Sequence, residues 1–80
     1  MPTKQELGEI MWERLDKFAE IMIEEKDFNM EKFTFGDLRS LAERHGFNIG
    51  VANYTITALK ENRMLKILNR NPKIYRIVPR

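Results

Sequence analysis

The chain has no cysteine and one histidine among its 80 residues, so packing alone must hold it together. Disulfides, thiolate metal sites and a Cys nucleophile are excluded. His45, as the only histidine, leaves too few ligands for a His-based zinc site. A chain this short hides only roughly 60% of its unfolded surface, so its core has to come from efficient amphipathic helices or from a partner. Hydrophobic residues are 42% of the sequence, enough for an ordinary core. No apolar run exceeds three residues (Ile21-Met22-Ile23), too short for a membrane span. Met-Pro-Thr-Lys-Gln-Glu at the start lacks the apolar segment of a signal peptide. A soluble cytoplasmic protein is expected, or a nuclear one in a eukaryote, with no membrane partner.

The net charge of +2 conceals a sharp division. Residues 1–31 hold four bases against nine acids, a net of −5, whereas residues 32–80 hold ten bases against three acids, a net of +7. Such a separation suggests that the second part faces a polyanion and the first does not.

No repeat, low-complexity stretch or Gly/Ser linker divides residues 1–80, so one domain is expected. Thr3-Lys4-Gln5-Glu6 fits a capping box, and no proline follows until beyond Lys26. The pattern predicts a single helix over this span, roughly 35 Å long at 1.5 Å per residue. Leu7, Met11, Leu15, Phe18 and Met22 form its stripe; Ile10 and Ile21 widen it on one side, Trp12, Ala19 and Ile23 on the other. The resulting arc of about 220° is well beyond the ~100° needed to sit on a core. The expectation is a homodimer formed through the surplus face carrying Trp12, Ala19 and Ile23; the alternative is a small domain wrapped around the helix, or Trp12 and Ile23 simply exposed.

Asp27–Lys32 reads as a loop and Phe33-Thr34-Phe35 as a very short strand. Thr34 and Asp37 can cap a second helix over 35–45, which Gly46 stops in the left-handed region. Asn48 is the expected N-cap of a third helix over 48–62. Its inner side would be Ile49, Ala52, Ile56 and Leu59; its outer side Gly50, Asn53, Tyr54, Thr57 and Lys60. Asn62-Arg63 stands where glycine commonly ends such a helix. Two runs over 64–68 and 73–78 flank Asn69-Arg70-Asn71-Pro72, the signature of a β-hairpin. The fold class is therefore mainly α with a small β-hairpin.

Two helices joined by the corner His45-Gly46-Phe47-Asn48 and followed at once by a hairpin form a helix-turn-helix with a wing. Residues 32–80 resemble the winged-helix DNA-binding superfamily. The segment Phe35-Gly36-Asp37-Leu38-Arg39-Ser40-Leu41-Ala42-Glu43-Arg44-His45-Gly46-Phe47 looks like its second helix and turn. Thr55-Ile56-Thr57-Ala58-Leu59-Lys60-Glu61-Asn62-Arg63-Met64-Leu65-Lys66 looks like the end of its recognition helix entering the wing, with Arg63 in place of the usual Gly. The resemblance implies a long N-terminal helix, a short strand, a helix-turn-helix and a two-stranded wing over 64–78. It also implies sequence-specific binding of double-stranded DNA by a small transcriptional regulator.

The residues suit that role. Asn53 can present its amide to adenine, Thr57 a hydroxyl and methyl, Tyr54 an amphipathic ring, and Lys60 a cation for guanine or phosphate. Gly50 permits close approach of the helix's first turn to the groove, where free backbone N–H groups favour phosphate. Arg70, with Lys73 and Arg76 behind it, resembles a wing contacting the backbone or minor groove. Lys32, Arg39, Arg44 and Arg63 are further candidates for phosphate. His45 reads as a helix cap, and the scattered methionines read as core filling.

No catalytic constellation is visible. The acids at Glu9/Glu13 and Glu20/Glu24 have the i,i+4 spacing of a solvated helix face, and the four glycines are isolated, so no phosphate-cradling loop exists. Neither enzyme activity nor a cofactor is expected. The alternative function is a winged-helix module that binds another protein through the apolar face of the first helix.

Overall fold

The computed structural model describes residues 3–11 and 15–79. The elements are α1 (Lys4–Ile10), α2 (Asp16–Glu24), α3 (Phe35–Arg44), α4 (Gly50–Glu61), β1 (Leu65–Arg70) and β2 (Lys73–Ile77). The architecture is mainly helical with one two-stranded antiparallel sheet. No helix among the described residues is long and apolar enough to cross a membrane.

Both capping boxes form. Thr3 accepts from the Glu6 N–H while Glu6 reaches back to the Thr3 N–H, and Thr34 and Asp37 repeat the arrangement at the head of α3.

The expected single helix over 4–26 is replaced by two. The backbone leaves helical geometry at Met11 (φ −100°, ψ 152°), and α2 starts after Leu15. The reason is tertiary. A helix of roughly 35 Å would overrun a domain whose extents are 31 × 26 × 22 Å. A straight helix also cannot turn an apolar arc of about 220° toward one core. Divided, the segment packs α1 against α2 and buries Leu7, Met11, Leu15, Phe18, Ala19 and Met22 together.

The face on which dimerisation was expected to rest is altered accordingly. Ala19 is 1% exposed and belongs to the core, and Ile23 is partly buried against it, because the break rotates α2 inward. Trp12 lies outside the described residues.

One apolar cluster runs through every element from α1 to β2. At its centre Phe18, Phe33, Leu38, Leu41, Leu59 and Met64 are fully buried. Phe18 meets Phe47 edge-on at 5.3 Å, and Phe33 stands between Phe28 (5.1 Å) and Tyr75 (5.8 Å). Phe33 also exchanges two backbone hydrogen bonds with Tyr75, at 3.0 and 2.7 Å, so the short strand expected there is a single bridge. Ile77 donates to the Met30 carbonyl and Val78 to that of Met64, both at 2.8 Å. The base of the hairpin is thereby fastened to the core, while Lys66–Lys73 stay exposed.

Two helix ends repeat one motif. At the end of α3, Gly46 donates to Glu43 (3.1 Å) and Phe47 to Ala42 (2.9 Å), with Gly46 at φ +76°. At the end of α4, Arg63 donates to Lys60 (3.2 Å) and Met64 to Leu59 (2.8 Å), with Arg63 at φ +58°. Each is a Schellman ending. The left-handed residue of the second is Arg63; Asn62 stays at φ −97° and uses its side-chain amide to donate to the Ala58 carbonyl at 2.8 Å.

The head of α4 also departs from expectation. The N-cap is Ile49 rather than Asn48 and has no side-chain cap bond; Asn48, one residue earlier, accepts from the Gly50 N–H through its side-chain oxygen at 2.8 Å, and the regular helix begins at Gly50. Ile49 is 50% exposed, and Thr55 occupies the inner side, its hydroxyl donating to the Val51 carbonyl at 2.7 Å. The hairpin turn is narrower than the sequence suggested. Arg70 and Lys73 already pair across it, leaving Asn71 and Pro72 at the tip.

Candidate functional site

The exposed stripe of α4 is built by its burial pattern. Ala52, Thr55, Ala58 and Leu59 are buried, which leaves Gly50, Asn53, Thr57 and Lys60 exposed. At 100° per residue these four fall within about 80° of one another, one narrow face. Glu61 borders it at the C-terminal end and is its one exposed acid.

Tyr54 does not belong to that face. Its ring is half-buried against the core, and its hydroxyl donates to the Ile10 carbonyl at 3.4 Å. Ile10 is the last residue of α1, where carbonyls lack an intrahelical partner. The break after Ile10, unforeseen from the sequence, supplies the acceptor that turns Tyr54 inward.

The hairpin carries the charge. Its register places Lys66 opposite Arg76 and Arg70 opposite Lys73. Both are like-charge cross-strand pairs, which are destabilising when nothing lies between them. No acid occurs between residues 62 and 80 to offset them. Arg70 and Lys73 are exposed, and Arg76 is half-buried at its base. Lys60, Arg63, Lys66 and Arg70 thus follow one another from the last turn of α4 through β1. None of these cations forms a salt bridge with another described residue.

Arg44 differs from the other basic candidates. Its guanidinium lies 3.2 Å from Glu25 and 3.5 Å from Asp27, and His45 approaches Glu25 at 3.4 Å. These contacts tie the C-terminus of α3 to the acidic end of α2 and neutralise Arg44 locally, so it is withdrawn from the set of free cations. Lys32 and Arg39 are exposed, before and on α3, a helix that packs on both α4 and β2.

Two features of this surface were not singled out from sequence. Lys66 completes the cross-strand pair with Arg76, and the apolar–charged–apolar run Leu65-Lys66-Ile67 is the signal that could have found it. Leu68 has no cross-strand partner, because Ile67 pairs with Tyr75 and Asn69 with Ile74. Two successive apolar residues, Ile67-Leu68, interrupt a period-two pattern and mark that bulge.

A cavity of about 570 Å³ lies where α1 meets α2, lined by Gln5, Gly8, Glu9 and Asp16. Comparison of the chain with protein-family models, curated proteins and solved structures gives no match.

Proposed function

We propose that the protein is a winged helix-turn-helix domain that binds double-stranded DNA, and so a small regulator of transcription. α3 and α4 with the Gly46 corner are the helix-turn-helix, and the hairpin is the wing. Asn53, Thr57 and Lys60 would face base edges in the major groove, with Gly50 admitting the head of α4 close to a strand. Arg63, Lys66, Arg70, Lys73 and Arg76 would take phosphates, and Arg39 and Lys32 would extend that contact.

The observation that carries this reading is the hairpin's charge. Two like-charge pairs face each other across one two-stranded sheet with no acid from residue 62 onward. A polyanion laid along the hairpin converts that repulsion into attraction. Each neutralised phosphate also releases counterions. The protein-binding alternative rested on an apolar face of the first helix carrying Trp12, Ala19 and Ile23; of these Ala19 and Ile23 contribute to the core, and Trp12 lies outside the described residues. Each protomer carries the whole set of contacts, so the reading requires no dimer.

The test is a gel-shift against a randomised duplex pool, with rounds of selection on the retained fraction. Enrichment of a common sequence supports the proposal. Failure to retain any duplex in dilute buffer contradicts it.

A further inference from the structure

Among the described residues, the exposed large hydrophobic side chains are Ile49, Ile67 and Leu68, the last two at 39% and 43% exposure. Ile67 and Leu68 are neighbours on β1, on a hairpin that also carries Lys66, Arg70, Lys73 and Arg76. The register explains how Leu68 comes to be outside the core. Ile67 opposes Tyr75 and Asn69 opposes Ile74, so Leu68 is the extra residue of a bulge. A bulge releases its residue from the up-down alternation of the strand and re-aims its side chain. Lys66 precedes the pair and Arg70 follows it two positions later.

We propose that Ile67 and Leu68 form an apolar wedge that enters the minor groove of duplex DNA and opens a base step. The inference rests on the reading that the hairpin meets DNA. The arrangement of an apolar centre between cations matches what a groove offers, stacked bases between two phosphate rows. Side chains such as Leu and Ile inserted at a step partly unstack it and bend the duplex. A second copy of the chain is a poor occupant, because its hairpin carries the same four positive charges, Lys66, Arg70, Lys73 and Arg76. An apolar pocket on a protein would have to supply acids around its whole rim, whereas DNA carries phosphates on both sides of the groove by construction.

The experiment uses the full chain and the duplex selected above, with 2-aminopurine placed at successive steps and a donor–acceptor pair on the ends. Binding by the unaltered protein should raise 2-aminopurine fluorescence at one step and shorten the end-to-end distance. Leu68→Ser should abolish both signals while leaving the slope of log affinity against log salt unchanged. Leu68 is exposed and outside the core, so the variant keeps its fold, and circular dichroism verifies this. Ile67→Thr, which preserves the β-branch, should reduce both signals.

Binding without any fluorescence rise, or with a rise that survives Leu68→Ser, overturns the wedge and leaves DNA binding intact. Absence of binding by the unaltered protein overturns the DNA reading and the wedge with it. Sedimentation showing that Leu68→Ser turns a dimer into a monomer assigns the pair to a second copy and overturns the wedge.

Discussion

The backbone N–H of Met64 donates to the carbonyl of Leu59 at 2.8 Å, closing the end of α4 around Arg63 at φ +58°. A left-handed backbone costs an L-residue with a Cβ roughly 1–2 kcal/mol, which glycine avoids. Glycine also adds freedom to the unfolded chain, which returns about 0.4–1 kcal/mol of that difference. Arg63→Gly should therefore stabilise the fold by about 0.5–1 kcal/mol in urea unfolding and weaken duplex binding by removing one cation. Stabilisation with undiminished binding would leave Arg63 without a part in the interface.

Gly46, the counterpart of Arg63 at the end of α3, has open space where a Cβ would stand, so only its backbone opposes substitution. By the same arithmetic Gly46→Ala should destabilise by about 0.5–1 kcal/mol, measured by chemical denaturation, with no clash against neighbouring residues.

What the sequence made legible was local. The capping pairs Thr3/Glu6 and Thr34/Asp37 act over three residues, Gly46 acts on its own backbone, and the hairpin is marked by its tip. The exposed stripe Gly50, Asn53, Thr57 and Lys60 follows from helical periodicity. The division of the first helix was hidden because no proline marks it; the limit is the size of the core, a property of the whole chain. The partners of Tyr54 and Arg44 were hidden for the same reason. Their partners are 44 and 19 residues away in sequence, and one of them, the Ile10 carbonyl, is an acceptor only because α1 stops there.

That distinction is measurable at Arg44. Its pairs with Glu25 and Asp27 are partly exposed, and such pairs contribute at most about 1 kcal/mol. Arg44→Ala should lower stability by no more than that and change duplex affinity less than about twofold, whereas Lys66→Ala should weaken binding to every duplex. Fluorescence anisotropy titration at one fixed salt concentration compares the two.

Base reading and anchoring separate on α4. Asn53→Ala or Thr57→Ala should cost ~1–3 kcal/mol on the selected duplex and little on random DNA. Tyr54→Phe, which removes the hydroxyl bonded to Ile10, should leave both affinities unchanged and cost roughly 0.5–1 kcal/mol of stability. Equal losses on both duplexes for Asn53→Ala would remove it from base reading.

The salt dependence of duplex binding tests the central claim most directly. Phosphates met by Arg63, Lys66, Arg70, Lys73 and Arg76 give a slope of roughly −4 to −5 for log affinity against log salt, and those met by Lys32 and Arg39 steepen it to about −6. Replacing Lys66 and Arg76 together by alanine should bring that slope about two units nearer zero. A flat salt dependence in the unaltered protein, or a slope that the double replacement leaves in place, would contradict the assignment of the hairpin to the phosphate backbone.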